Sequence, residues 1–136
     1  MGPASRQRGP RHQGVTPPFS ACFDSSILID FLNEIPAAAE LLTSVRLRLI
    51  STLTRTEVLT GARSEQEWQD ALTLLDGFVT IDVEPAIADA AARLRQQYRL
   101  KTPDAIIAST AAAQGVPLLT RDAALAAVPG AVLAYA

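Results

Sequence analysis

Apolar runs and amphipathic stretches alternate along the chain from Ala21 to its last residues. Five runs have the length and aliphatic content of strands: 21–29, 47–53, 79–83, 116–120 and 131–135. The first run contains a polar turn, after which a short helix is expected, and the last follows a Pro-Gly turn. The stretches between the runs repeat apolar residues at helical spacing. Because strands that alternate with helices form parallel sheets, the pattern predicts an α/β fold with a central, mostly parallel sheet flanked by helices.

Prolines and capping side chains mark where the helices are expected to begin. Three prolines stand at predicted first positions: Pro36, Pro85 and Pro103. Thr102 is the predicted cap of the third of these helices. Two pairs have the spacing of a capping box, Thr54 with Glu57 and Ser64 with Glu67. Trp68 shares an apolar stripe with Ala71 and Leu75, so it is predicted to lie in the core and not to stack on bases.

Four acidic residues lie far apart in the sequence but at comparable places, either at a strand end or near a helix start: Asp24, Glu57, Asp104 and Asp122. Because the carboxyl ends of parallel strands meet at one edge of a sheet, these side chains are expected to converge there. Carboxylates at short range raise one another's pKa values, and a divalent cation removes that conflict. Hard oxygen ligands suit Mg²⁺ or Mn²⁺, which typically act on phosphate esters.

Each acid also has a purely local interpretation. Glu57 can be the glutamate of a capping box, and Asp104 can be an acid favoured in a first helical turn. In that position the helix N-terminus is expected to keep the Asp104 carboxylate ionised. Asp30 and Glu34 lie beyond Asp24 in the sequence and are predicted to be surface acids.

Composition narrows the possible chemistry. The 136 residues fit one domain, and no run approaches the roughly 20 apolar residues of a membrane span. The only histidine, His12, precedes the first strand, which leaves the body of the chain without histidine acid–base catalysis or a Ser-His or Cys-His pair. The only cysteine, Cys22, lies in an apolar run, which excludes a disulfide and favours a reducing, cytoplasmic compartment.

Residues 1–20 differ from the rest because they are rich in proline, glycine and arginine and contain no acid. They are predicted to be a disordered basic tail or an extension upstream of the natural start. The remainder carries nine basic and fourteen acidic residues, a formal charge of −5, so it is not an ordinary basic nucleic-acid binder. Handling RNA would require metal at the acidic centre and a rim of cations. The candidates, each also explained as a solvated surface charge, are Arg46, Arg48, Arg55, Arg63, Arg93, Arg95, Arg99, Lys101 and Arg121.

Four segments carry the acids in order: FDSSILIDFL, STLTRTEVLTGA, PDAIIASTAAAQG and LLTRD. Their order and spacing resemble those of the PIN-domain ribonucleases, and within that family the VapC-like toxins of type II toxin–antitoxin systems. The resemblance covers 21–136 and implies a PIN domain there, with a three-layer α/β fold. The AALAAV that follows Asp122 departs from the family pattern.

The resemblance implies an Mg²⁺- or Mn²⁺-dependent endoribonuclease toxin acting on transfer or ribosomal RNA. The implied catalytic and metal-binding residues are Asp24, Glu57, Asp104 and Asp122, holding one or two ions, while Ser26 and Thr120 orient carboxylates or water. Products would carry a 5′-phosphate and a 3′-hydroxyl. The resemblance also implies a VapB-like antitoxin that docks near the early helices, and a homodimer or toxin–antitoxin hetero-oligomer. Partner burial and core packing explain one apolar segment equally well: Ala37, Ala38 and Leu41.

Two other functions compete with this one. A non-catalytic PIN-like module that binds RNA or protein would share the fold, but it has no need to retain mutually repelling carboxylates. A phosphoacceptor receiver domain also gathers aspartates at strand ends. That class uses a lysine at a strand end, whereas the only lysine here, Lys101, stands before a predicted helix.

Overall fold

A five-stranded parallel sheet forms the centre of the computed structural model, which describes residues 18–135. In chain order the strands are β1 (Ser20–Phe23), β2 (Leu47–Ser51), β3 (Val79–Ile81), β4 (Leu118–Thr120) and β5 (Ala131–Leu133). They are arranged β3-β2-β1-β4-β5, and every neighbouring pair is parallel. The order places β1 at the middle of the sheet. The prediction for residues 1–20 lies almost wholly outside the described residues, although β1 begins at Ser20.

Seven helices surround the sheet within the described residues. They are α1 (Ser25–Leu32), α2 (Pro36–Ser44), α3 (Thr52–Thr60), α4 (Glu65–Leu75), α5 (Pro85–Tyr98), α6 (Thr102–Gln114) and α7 (Ala123–Ala126). None of them has the length and hydropathy needed to cross a membrane.

Successive strand residues belong to different hydrophobic clusters, one on each side of the sheet. Phe23 and Ile50 pack in one cluster with residues of α1 to α4, whereas Cys22 and Leu49 pack in the other with residues of α6 and α7. This alternation follows from the two-residue period of a strand. Burial also raises the pKa of the Cys22 thiol to about 12. The predicted three-layer α/β architecture is therefore confirmed.

Four of the five strands end earlier than the apolar pattern predicts, and β3 and β5 do so by two residues each. β1 stops at Phe23 and the apolar residues up to Ile29 belong to α1, while β2 stops at Ser51. Short apolar runs do not distinguish a strand from the first turn of a buried helix. The Ser51 hydroxyl accepts a hydrogen bond from the backbone N–H of Leu53 at 3.1 Å, so Ser51 is the cap of α3. The prediction that Thr54 and Glu57 form a capping box is wrong.

Two smaller expectations also need correction. Lys101, with no side-chain cap bond, precedes α6, so the predicted cap Thr102 is already helical. Trp68 has 41% of its surface exposed, because α4 buries only Ala71 and Leu75 of its apolar stripe. The tryptophan is therefore not a core residue.

The second predicted capping box is partly formed. The Ser64 hydroxyl accepts a hydrogen bond from the Glu67 N–H at 3.1 Å, and the Glu67 carboxylate accepts one from the Arg63 N–H at 2.8 Å. We expect Ser64→Ala to lower the free energy of unfolding by about 1 kcal/mol, because a backbone donor of α4 loses its partner. Urea denaturation measures the loss. Thr73→Ala is the matched control, since that exposed hydroxyl only donates back to the Gln69 carbonyl; equal losses in both variants would contradict the cap assignment.

Candidate active site

The structure brings the four predicted acids to the carboxyl edge of the sheet. Asp24 directly follows β1, Glu57 lies in the helix that follows β2, Asp104 is in the first turn of α6, and Asp122 caps the helix after β4. Their charges act on one another: Asp24 raises the pKa values of both Glu57 and Asp104, and Asp122 raises that of Asp104. The parallel topology therefore assembles an acidic cluster from four separated segments.

Asp24 is the most firmly held of the four. It is 5% exposed, and its Oδ2 atom accepts hydrogen bonds from the hydroxyls of Ser26 and Thr120, each at 2.7 Å. No described residue donates to its Oδ1 atom. Two hydroxyls on one oxygen fix the plane of the carboxylate and leave the second oxygen available to a cation.

The same hydroxyls also hold the segment after β4. The Thr120 hydroxyl accepts the N–H of Asp122 at 3.0 Å, and the Ser26 hydroxyl accepts the N–H of Arg121 at 3.2 Å. The Asp122 Oδ1 atom accepts the N–H of Ala124 at 2.9 Å, so one of its oxygens is committed to capping α7. Asp122 is exposed, whereas Asp24 is buried.

Glu57 contains the site's unsatisfied polar atom. Its Oε1 atom is buried and accepts no hydrogen bond within the described part of the chain. Burial raises the pKa of Glu57, Asp24 and Asp104 raise it further, and a hydrogen bond from Ser25 opposes them. A buried carboxylate oxygen without a donor is costly, and a cation would satisfy it.

Asp104 does not behave as its helical position alone predicts. Burial raises its pKa, the charges of Asp24 and Asp122 raise it further, and Lys101 only partly offsets them. The helix N-terminus favours an anion by roughly 0.3–1 kcal/mol when exposed, and burial and the neighbouring carboxylates act in the opposite direction here. The pKa of Asp104 therefore reflects its burial and its acidic neighbours in addition to the helix end.

An open cleft of about 520 Å³ lies at this edge of the sheet and includes three of the four acids but not Glu57. It is lined by Asp24, Ser25, Ser26, Ile29, Asp104, Arg121, Asp122 and Ala123. Between residues 18 and 135, no three aspartate, glutamate, histidine or cysteine side chains are grouped closely enough to hold one ion. Mg²⁺, however, usually keeps several waters and uses only one or two carboxylates. The oxygen-only donor set and the unsatisfied Glu57 oxygen fit such an ion.

Raised acid pKa values make the stability of the metal-free protein depend on pH. The folded state holds the Glu57 proton to a higher pH than the unfolded chain, so the free energy of unfolding falls as pH rises from 4.5 through the raised value. We expect the free energy of unfolding of Glu57→Gln to fall less with rising pH, and to exceed that of the wild type above the raised pKa. Urea denaturation with EDTA at a series of pH values measures it. The control Glu84→Gln, at an exposed position, should retain the wild-type slope; a Glu57→Gln slope equal to it would contradict the account.

One acid that the sequence places at the surface is in fact buried. Asp30 is 8% exposed, and its Oδ2 atom accepts hydrogen bonds from Arg121 Nε at 2.5 Å and from the Tyr135 hydroxyl at 2.8 Å. The surface prediction is therefore wrong for Asp30, although Glu34 is exposed as expected. The available signal was spacing, because Asp30 lies four residues after Ser26 and thus on the same face of α1. Its partners, 91 and 105 residues away, have no sequence signal.

Comparison with known proteins agrees with this geometry. Residues 21–131 match the family model described as PIN domain. No curated protein sequence gives a significant match. A chain of a toxin–antitoxin complex from Klebsiella pneumoniae is 37% identical, covers 85% of this chain and 98% of its own, and superposes with a TM-score of 0.79.

More distant structures share the fold. They include VapBC2 from Rickettsia felis bound to a promoter DNA fragment, with 20% identity, 83% and 96% coverage and a TM-score of 0.69. VapBC-5 from Mycobacterium tuberculosis has 23% identity, 85% and 95% coverage and a TM-score of 0.61. With the family model matching most of its length, the chain belongs to the PIN-domain family.

Proposed function

We propose that this protein is a metal-dependent endoribonuclease toxin. The observation that carries the proposal is the acidic cluster at the carboxyl edge of the sheet, in which Asp24 and Asp104 raise the pKa of Glu57 and one Glu57 oxygen is buried without a partner. A fold has no structural reason to gather repelling carboxylates in one cleft. A function that uses a cation explains both features.

Asp24, Glu57 and Asp104 are the residues that would hold Mg²⁺ or Mn²⁺, with Asp122 contributing through water because one of its oxygens caps α7. When bound, such an ion activates water and offsets phosphate charge. Ser26 and Thr120 keep the Asp24 carboxylate in one orientation. We propose attack by water on RNA phosphorus, which leaves a 5′-phosphate and a 3′-hydroxyl.

The partner we propose is a VapB-like antitoxin, because the relative with 37% identity comes from a toxin–antitoxin complex. An arginine from a partner would enter the acidic cleft for the same electrostatic reason as a metal ion. Of the segment named from the sequence, Ala38 is fully buried and Leu41 packs against the core, which favours core packing there. Phe31 and Ile35, 36% and 39% exposed, offer the antitoxin more apolar surface on the early helices.

Purified protein, free of antitoxin, tests the activity. Incubation with total cellular RNA in Mg²⁺, in Mn²⁺ and in EDTA should give cleavage only with metal, and the new fragments should accept ligation through a 5′-phosphate. Cleavage in EDTA, or fragments with a 2′,3′-cyclic phosphate, would contradict the mechanism.

The alternative, a non-catalytic PIN-like module that binds RNA or protein, is favoured by one observation. In the described chain no three ligating side chains are grouped around one point. Calorimetry with Mn²⁺ separates the two proposals. Binding that disappears in Asp104→Asn favours the enzyme, whereas no binding by the wild type favours the module.

A further inference from the structure

One basic side chain stands among the acids of the cleft. Arg121 is the single cation among the described residues that line this cleft, and it shares the lining with Asp24, Asp104 and Asp122. RNA is a polyanion, and a cleft with this excess of carboxylates repels it unless positive charge is supplied. A metal ion offsets charge at the cluster centre. A fixed cation at the rim would act on the neighbouring part of the RNA strand.

Arg121 is held in place from two directions. Its backbone N–H donates to the Ser26 hydroxyl at 3.2 Å, and its Nε donates to Asp30 Oδ2 at 2.5 Å. The Tyr135 hydroxyl donates to the same oxygen at 2.8 Å. Ser26 and Asp30 lie one turn apart on α1, so a single helix face fixes both the backbone and the side chain of Arg121.

The arrangement leaves most of the guanidinium unused. Arginine offers five N–H donors, and here only the Nε donor is engaged within residues 18–135. The side chain is 45% exposed, whereas that of Asp30 is 11% exposed. Arginine–carboxylate pairs are frequently bidentate, with two parallel N–H···O bonds, and this pair is not. The Asp30 carboxylate accepts a hydrogen bond from Nε only, so the two terminal nitrogens of Arg121 remain available to a ligand.

We propose that Arg121 binds a backbone phosphate of the RNA strand next to the bond that is cleaved, and that Asp30 and Tyr135 position it. The inference rests on the proposed function and names the residue that receives the substrate. A guanidinium with two free terminal nitrogens matches two phosphate oxygens. Holding the side chain at Nε in advance reduces the entropy lost when RNA binds.

Fluorescence anisotropy with a labelled single-stranded RNA tests the contact. The RNA is titrated with full-length protein in the Asp104→Asn background, with Mg²⁺ present, at a series of salt concentrations. Arg121→Ala should weaken RNA binding roughly tenfold or more, because charge-assisted hydrogen bonds to phosphate are lost. The slope of log affinity against log salt concentration should become shallower by about 0.7, the value for one phosphate contact on a single strand. Arg46→Ala is the matched control, because Arg46 precedes β2 and so lies at the opposite edge of the sheet.

Substitutions of Asp30 and Tyr135 test the direction in which RNA affinity changes. Asp30→Asn removes a negative charge, so simple electrostatics predicts tighter binding of RNA. We expect severalfold weaker binding with an unchanged salt slope, since Arg121 keeps its charge but is held only by the weaker hydrogen bond that a neutral amide oxygen accepts. Tyr135→Phe should weaken binding less, because Asp30 still holds Arg121. Arg121→Lys should keep the salt slope but bind RNA more weakly. Lysine has a single side-chain nitrogen, so it cannot bond to Asp30 through one nitrogen and to phosphate through two others.

The outcomes separate this inference from the proposed function. With Asp104 intact, Arg121→Ala should raise the KM for RNA cleavage more than it lowers kcat. If the wild type cleaves RNA but Arg121→Ala binds and cleaves like Arg46→Ala, or if Asp30→Asn binds RNA more tightly, the phosphate contact is wrong and the nuclease stands. If no variant binds RNA, the contact is also wrong. If the wild type binds RNA through Arg121 but never cleaves it, the nuclease fails and the contact stands.

Discussion

Replacing Asp104 by asparagine will lower the rate of RNA cleavage by about a thousandfold, the equivalent of several kcal/mol of lost transition-state stabilisation by the ion. Asp104 is half-buried, and burial together with the charges of Asp24 and Asp122 raises its pKa. An amide in its place keeps the shape of the side chain but removes a negative oxygen ligand. A fluorescent RNA substrate in Mg²⁺, at enzyme concentrations that give single turnover, measures the rate.

The same substitution should not damage the metal-free fold. Because the Asp104 pKa is raised in the folded state, its ionised form destabilises that state above the raised value, and asparagine removes this cost. In EDTA at neutral pH, Asp104→Asn should therefore unfold at a temperature equal to or above that of the wild type. Asp89→Asn, at an exposed position on α5, is the matched control and should cleave at the wild-type rate. A folded Asp104→Asn protein with wild-type activity would contradict the assignment.

Divalent metal should stabilise the wild-type protein strongly. A ligand that binds only the folded state adds about 2.7 kcal/mol to the free energy of unfolding at a concentration about 100 times its Kd. Here the gain should be visible because the ion satisfies the buried Glu57 oxygen and offsets the charges around it. Thermal unfolding in MgCl₂ or MnCl₂ should therefore occur at a higher temperature than in EDTA.

Two controls make that shift specific. NaCl at matched ionic strength separates ion binding from screening, which also relieves repulsion between partly exposed charges. Asp104→Asn should lose most of the metal-dependent gain, whereas Asp89→Asn should retain it. Equal stabilisation of all three proteins by metal would place the ion elsewhere on the molecule, and no stabilisation of the wild type would favour the binding module.

The sequence predicts the acidic edge well because the reasoning depends on topology and not on side-chain contacts. Once strands and helices alternate, parallel pairing follows, and residues after the strands must meet at one edge. The position of Asp24, directly after β1, therefore required no knowledge of its neighbours. Asp104 opens α6, the helix that leads back to β4, so its end of that helix lies at the same edge. The roles of Asp30 and Arg121 did require knowledge of their neighbours, because their contact spans 91 residues and each residue alone looks like a surface charge.

Local boundaries failed for a different physical reason. Asp24 and Ser51 each stand between a strand and a helix, with apolar residues on both sides. The polar residues at these positions interrupt each apolar run only briefly, whereas the backbone changes from strand to helix there, so the apolar runs were assigned to strands for too long. Trp68 shows the converse limit: apolar periodicity identifies the inward stripe of α4 but not how far along the helix the layer beneath it extends.

Mapping of new 5′-phosphate RNA ends across the transcriptome, after brief induction of wild type or Asp104→Asn in the source cell, tests the central claim most directly. It surveys all transfer, ribosomal and messenger RNAs together and reads the product chemistry that water attack predicts. We expect new 5′-phosphate ends at defined sites with the wild type and none with Asp104→Asn. The same set of ends with both proteins, or no new ends when both are folded and free of antitoxin, would contradict it.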